Sequence, residues 1–414
     1  MRKERLIAPV LAVVALAWAV AQTVAGLLFE RELARAVEDL QARGELSIRR
    51  SDVERGWLAS RGVLHLSPLF GDAWHVDVVY RARHGVLGTR LDGTLAPHMA
   101  SAGETLFGAV EASPPRWEAR YHVLSGTFDG ALALSPLVFH QQGRTLALQG
   151  TRISFQGGFG DWRLRARLAS LRLDDGEAQL QAGPVTLESR YAYTEGAYHF
   201  TQQDLLKIEG LRWRSPELVL AGDEIMLHSK TVLDERELRI RSKLTLGELH
   251  SADQVLLTGG VTAELSRIDA DALRDLLDGL RREAARGSTD ASGREVLADL
   301  APSLRGLLAD SPRLDLLEAN LDSPMLGLAL NGEGTLIFDA RDLTALDPLA
   351  LDSPAERAEW RARLDGDFLW RQVPPVVALW LGLPLDTREL QIDVVRGELR
   401  LNGRPLPPVL ERLL

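Results

Sequence analysis

Chemistry in this chain would have to start from its histidines: His65, His75, His84, His98, His122, His140, His199, His228 and His250. A helical metal site needs two ligands three or four residues apart, so that both imidazoles leave one face. No histidine pair has that spacing, and His65 and His75 are too far apart in sequence for a local site. The chain contains no cysteine, which removes disulfides, thiol nucleophiles and thiolate ligands together. It also lacks a Gly-x-Ser-x-Gly elbow, a Ser-x-x-Lys pair and a Walker-type phosphate loop. Gly158-Phe159-Gly160 opens like a dinucleotide fingerprint, but Arg163 stands where the third glycine belongs and strand pattern follows, so the segment reads as a hairpin turn.

Two acidic clusters have ordinary roles. Asp269, Asp271 and Asp275 sit at a helix start, where carboxylates complement the dipole. Asp174, Asp175 and Glu177 lie in a turn composition. A glycosidase pair needs only proximity in space, which spacing does not reveal. The expectation is therefore no catalytic residue, no metal ligand and no cofactor.

Six residues are singled out as contacts for lipid or a partner. Arg55 and Trp57, in Glu54-Arg55-Gly56-Trp57, together with His84 of His84-Gly85, form a charged and aromatic set. The simpler reading is strand-edge packing, with glycine permitting close approach and tryptophan filling core. Arg163, Arg165 and Arg167 form a stripe able to meet anionic phosphates, for which one solvated sheet face is the simpler account.

These residues must be positioned by a chain of 414 residues, long enough for one large β domain or two fused ones. Its formal charge of -10 arises from 48 basic and 58 acidic residues, and the first five residues are net positive, so the body is more acidic than the whole. Such a body lacks the cationic field that nucleic acid requires.

From Leu6 to Phe29, 24 residues carry no charge, enough as a helix for about 36 Å. Arg2, Lys3 and Arg5 precede the run, whereas Glu30, Arg31 and Glu32 follow. The positive-inside bias thus predicts a single pass of the bacterial inner membrane, N-terminus cytoplasmic and body periplasmic. The competitor is a signal peptide cleaved after Ala21, because Ala19-Val20-Ala21 is a small-x-small site, leaving a soluble periplasmic protein. Leu33, Val37 and Leu40 continue the helix beyond either boundary.

The body reads as mainly β. Trp162, Leu164, Ala166 and Leu168 alternate with arginines, and similar alternation recurs between turn signals at Asp129-Gly130, Gln142-Gly143, Asp175-Gly176, Gly183-Pro184, Glu195-Gly196 and Ala221-Gly222. The predicted architecture is one N-terminal transmembrane helix, then a long curved antiparallel sheet, open to forming a groove, with an inserted helical hairpin. Residues 1–29 form the anchor, 30–43 a helical extension, 44–265 a β region, 266–309 the hairpin and 310–414 a C-terminal β region with short helices. In the hairpin, Leu273, Leu276, Leu277 and Leu280 make one stripe and Leu300, Leu304 and Leu307 a second, joined through Gly287-Ser288-Thr289. Asn331-Gly332 and Asn402-Gly403 predict later turns.

The apolar segment with its helical extension, Glu54 to Ser60 leading into a strand, His84-Gly85, the hairpin, and Gly397-Glu398-Leu399-Arg400-Leu401-Asn402-Gly403-Arg404 occur in an order that resembles the YdgA-like family of inner-membrane-anchored bacterial envelope proteins. That resemblance, over most of the chain, implies a location and an architecture; the family has no assigned molecular function and brings no catalytic residue. The function expected is a non-catalytic, membrane-tethered envelope protein that binds lipid or another amphipathic ligand in a β groove. The alternative is an assembly factor that binds an envelope partner or itself. An envelope hydrolase ranks third and would require converging carboxylates or a histidine beside a serine.

Overall fold

The computed structural model describes residues 4–42, 46–68, 74–99, 114–141, 144–158, 160–193, 199–285, 298–343 and 353–405. Two compact units are distinguished. The first comprises residues 1–139, 147–168 and 284–289, and the second 140–146, 169–283 and 290–414.

The first unit is a meander carried by helix α1 (Glu4–Ala42) and strands β1 (Leu46–Arg55), β2 (Ala59–Pro68), β3 (Trp74–Gly85), β4 (Gly88–Met99), β5 (Arg116–His122) and β6 (Thr127–Ala133). After β7 (Leu137–Gln141) and β8 (Arg144–Gln149), it closes with β9 (Arg152–Gly158) and β10 (Asp161–Leu168). Successive strands pair antiparallel from β1 to β6, then β6 with β9 and β9 with β10. Because side chains alternate across a strand, one face collects Tyr80, Ala82, Leu91, Tyr121 and Phe128. Phe29 of α1 is fully buried among them, with Leu28, Leu33 and Trp162 packed alongside. Burying a phenylalanine of this kind is worth roughly 1.5–3 kcal/mol.

This contact moves a predicted boundary. Gln22, Ala25 and Phe29 all face the sheet and are buried, so the last two turns of the segment Leu6 to Phe29 belong to the folded unit. Among the described residues no helix is long and apolar enough to cross a membrane; the side chains of residues 4–17 lie outside the description.

The second unit contains β11 (Ser170–Asp174), β12 (Gln179–Ala182), β13 (Val185–Tyr193), β14 (Phe200–Ile208), β15 (Leu211–Arg214), β16 (Val219–Gly222), β17 (Ile225–Leu233), β18 (Glu237–Ser251) and β19 (Gln254–Asp269). It continues through α2 (Ala270–Ala285), α3 (Ala301–Gly306), β20 (Arg313–Ser323), β21 (Leu328–Phe338), α4 (Pro354–Arg361), β22 (Leu364–Arg371), α5 (Pro375–Trp380), β23 (Glu389–Val395), β24 (Glu398–Leu401) and β25 (Arg404–Pro405). All of its described pairings are antiparallel. The mainly β, antiparallel reading therefore stands.

Several predicted turns do not reverse the chain. Ala182 pairs with Leu211 and Val185 with Ile208 in one unbroken register, so β12 and β13 form a single long line across Gly183-Pro184. Ala221-Gly222 is likewise passed without reversal between β16 and β17, which share β18. Asp129-Gly130 lies inside β6 and Asn331-Gly332 inside β21. The reason is partner pairing: Gly332 sits between Ala319 and Trp370, where a Cβ would come within 3.0 Å of the Leu369 carbonyl oxygen. The reversal before β21 is made instead at Gly327, with φ 60°. Gln142-Gly143 and Glu195-Gly196 lie outside the described residues.

The helical insertion begins at Ala270, because β19 runs on to Asp269, whose carboxylate accepts the Ala272 amide at 2.6 Å as a cap. Leu300, buried, lies against Gly279 of α2. The Gly287-Ser288-Thr289 link falls outside the described residues.

Candidate functional site

The Arg55, Trp57 and His84 set converges, and what it meets is α1. Glu30 accepts a two-pronged pair of hydrogen bonds from Arg50 at 2.9 and 3.1 Å, Arg55 approaches it at 3.4 Å, and Arg50 reaches on to the Tyr80 hydroxyl at 2.9 Å. Burial opposes the Arg50 charge, but Glu30 and Tyr80 outweigh it and its pKa is raised. Gln22 Nε2 donates to the His84 carbonyl at 2.5 Å, and Trp57 Nε1 donates to Thr23 Oγ1 at 3.0 Å. The His84 ring lies 5.4 Å from that of Phe29, and burial lowers its pKa, partly opposed by Glu30. The three residues thus clamp a helix to a sheet, although Trp57, half exposed, does not fill core as the packing account expects.

That clamp lies at one end of the meander. Alternate reversals of an up-and-down sheet share an end, and here they place Trp57 and Leu58, Leu87, and Leu124 side by side. Leu58 accepts from the His84 amide at 2.8 Å and Leu87 from the Val123 amide at 3.2 Å. Leu87 and Leu124 are 70% and 86% exposed, and Trp57 and Leu58 are half exposed. Trp18 of α1 packs edge-on against Trp57 at 5.8 Å. On the outward side of the helix Val20, Val24 and Leu27 are exposed, and the same stripe turns charged at Arg31.

The opposite face of the same sheet is polar and carries a cluster that sequence spacing did not reveal. His75 and His98 pair across β3 and β4 with rings stacked at 4.3 Å. Asp77, two residues along from His75 on the same face, lies 3.6 Å from His98 Nε2 through Oδ2. Its other oxygen is 2.7 Å from His65 Nδ1, and His65 Nε2 is 2.6 Å from Ser51 Oγ. A search for histidines at helical spacing passes over such a group, because on a sheet the neighbours are residues two apart and cross-strand partners.

Ser51, His65 and Asp77 reproduce the hydrogen-bond order of a nucleophile, its base and an orienting carboxylate. Ser51 Oγ also donates to Asp52 at 3.1 Å, so its proton has a second acceptor. The side chains of His65 and Asp77 are 40% and 26% exposed on a sheet face, whereas acyl transfer draws most of its acceleration from oxyanion donors in a water-excluded site. The relay alone does not make a hydrolase.

Arg163, Arg165 and Arg167 extend along β10 on this polar face, opposite Trp162 and Leu164, with Arg163 3.9 Å from Asp161. They stand apart from the α1 clamp, which occupies the other face. In the second unit Asp223, Glu248 and His250 also come together, with His250 Nε2 3.2 Å from Glu248. There, too, α5 buries Ala378 against Val373, Leu390 and Leu401 while exposing Val376, Leu379 and Trp380.

Compared with known proteins, residues 1–363 match the model of a family described as "Bacterial protein of unknown function (DUF945)". No curated protein and no solved structure matches the chain.

Proposed function

The chain belongs to the DUF945 family of bacterial proteins of unknown function, and from that premise we propose a YdgA-like, non-catalytic envelope protein. Its first unit is seated on the periplasmic surface of the inner membrane by α1 and by the apolar hairpin tips. The observation that carries this reading is the match between two surfaces. The outward stripe of α1 stays apolar to Leu27, while from Gln22 onward the inward side packs on a sheet whose near end exposes Trp57, Leu58, Leu87 and Leu124. A span from Leu6 to Ala21 alone covers about 24 Å, short of a hydrocarbon core of about 30 Å. Lipid running along the outward stripe as far as Leu27 supplies the difference, and Trp57, packed against Trp18, enters the apolar layer with the hairpin tips.

Site-directed fluorescence tests the seating directly, because the chain has no cysteine of its own. Full-length protein in liposomes carries a single environment-sensitive probe at Leu87→Cys, Leu124→Cys or, at the opposite end of the sheet, Ser67→Cys. The expected result is blue-shifted emission and quenching by lipid-borne quenchers at 87 and 124 only. Water-like emission at all three positions overturns it. The exposed side of α5 favours a second reading, an envelope protein partner or a second copy docking on Val376, Leu379 and Trp380. Crosslinking in membranes from that helix to one recurrent protein, with lipid absent from native mass spectra of the full chain, would favour that alternative.

A further inference from the structure

We propose that His75, Asp77 and His98 form a binding site for a divalent transition-metal ion of the zinc class, with His65 holding the carboxylate ligand in place. This goes beyond membrane seating and is independent of it, since the cluster lies on the polar face of β1 to β4, away from α1.

The donor set is that of a three-ligand zinc centre, two imidazoles and one carboxylate, with a fourth position left to water. One ligand atom from each of the three residues lies within 4.8 Å of the others. In a tetrahedral zinc site with bonds of about 2.0–2.1 Å, neighbouring ligand atoms stand about 3.4 Å apart, so closing on an ion requires a contraction of at most about 1.4 Å. The group able to make it is His75, the exposed member of the three. Its ring must also leave the stack, because two parallel imidazoles cannot both aim a lone pair at one ion. His98 and Asp77, half-buried, need move little.

The hydrogen bonds around Asp77 suit a ligand more than a surface side chain. At 3.6 Å its Oδ2 is too far from His98 Nε2 for a hydrogen bond, although the two face each other. Its Oδ1, by contrast, is held by His65 at 2.7 Å, and His65 is oriented in turn by Ser51 at 2.6 Å. One oxygen is fixed by a second ring and the other is aimed toward two further rings, the arrangement by which outer partners orient a metal-binding group. The charge is appropriate: one carboxylate among neutral imidazoles reduces but does not cancel a dication. Arg49 is the cation paired with His65 in register, and its side chain is exposed, where solvent screens it.

The test is titration of the detergent-solubilised full chain with Co(II) and, by competition with a chromophoric chelator, Zn(II). The expected result is one tight equivalent with the intense visible absorption of four-coordinate Co(II). That band disappears in His75→Ala and in His98→Ala, and Zn(II) binds about 10–100-fold more weakly in His65→Ala. Glu248→Gln, in the other acid and histidine group, should bind as the parent does. His65, His75 and His98 lie on one sheet face of the first unit and Glu248 is exposed on β18, and melting without metal checks that each variant folds; His75→Ala, the exposed member of the cluster, serves as the decisive variant should another fail. No uptake at micromolar metal, unchanged uptake in His75→Ala, or a loss that follows Glu248→Gln overturns the proposal.

Discussion

Single side chains decide how the N-terminal segment is used. Phe29 is fully buried against Tyr80, Tyr121 and Phe128, so Phe29→Ala leaves a cavity between helix and sheet. The expected loss is about 3–5 kcal/mol, read as a lower unfolding midpoint of the first unit in chemical denaturation of the detergent-solubilised chain. His84 adds a pH dependence whose sign follows from burial. The folded state disfavours its protonated form, so above its ordinary pKa of about 6.5 the contribution to stability is complete. As pH falls below that value the unfolded chain takes up the proton first, and stability is lost until the folded pKa is passed. Protection factors of α1 amides, with the intrinsic pH dependence of exchange divided out, should therefore fall between pH 7.5 and pH 5 in the parent, and His84→Gln should flatten that change; an identical response in both would place the effect elsewhere.

At the scale of elements, the long strands of the second unit owe their continuity to backbone that bends without reversing. Glycine and proline in the sequence announced hairpins at Gly183-Pro184 and Ala221-Gly222, yet the register runs through both. Backbone approaches backbone closely at Gly259 on β19, where φ is +127° and a Cβ would sit 1.9 Å from the Asn320 carbonyl oxygen. Gly259→Ala must move β20 or unpair it, a cost above the roughly 1 kcal/mol that an incompatible glycine replacement carries. Loss of exchange protection along Arg313–Ser323 is the measurement, and parent-like protection would contradict the pairing of Gly259 with Leu321. Elsewhere composition was a sound guide. The acidic helix start includes Asp269, which caps α2, whereas the capping box of Ser353 and Glu356 on α4 and the facing of Ile392 and Val394 with Leu401 and Leu399 are seen in the structure.

At the scale of the whole molecule, the segment before Gln22 must either be retained or be removed after Ala21. Because Gln22, Ala25 and Phe29 are part of the folded first unit, both outcomes leave the same β body and differ only in tethering. The proposed seating expects retention, so the intact mass of the protein should include residues 1–21; a species starting at Gln22 would contradict that seating. Any truncation meant to yield a soluble form should keep Gln22, since removal through Phe29 takes away the centre of a core.

Sequence alone determined the β class, the acidic body, the apolar segment and the helical insertion, because those follow from period, charge and run length, which are local quantities. Tertiary structure alone decided which residues meet. The clamp on α1 joins residues dozens of positions apart, and the His65, His75, Asp77 and His98 cluster exists only through the register of three strands. In an antiparallel sheet that register is set by the sum of pairings and packing over whole strands, and no short spacing records it.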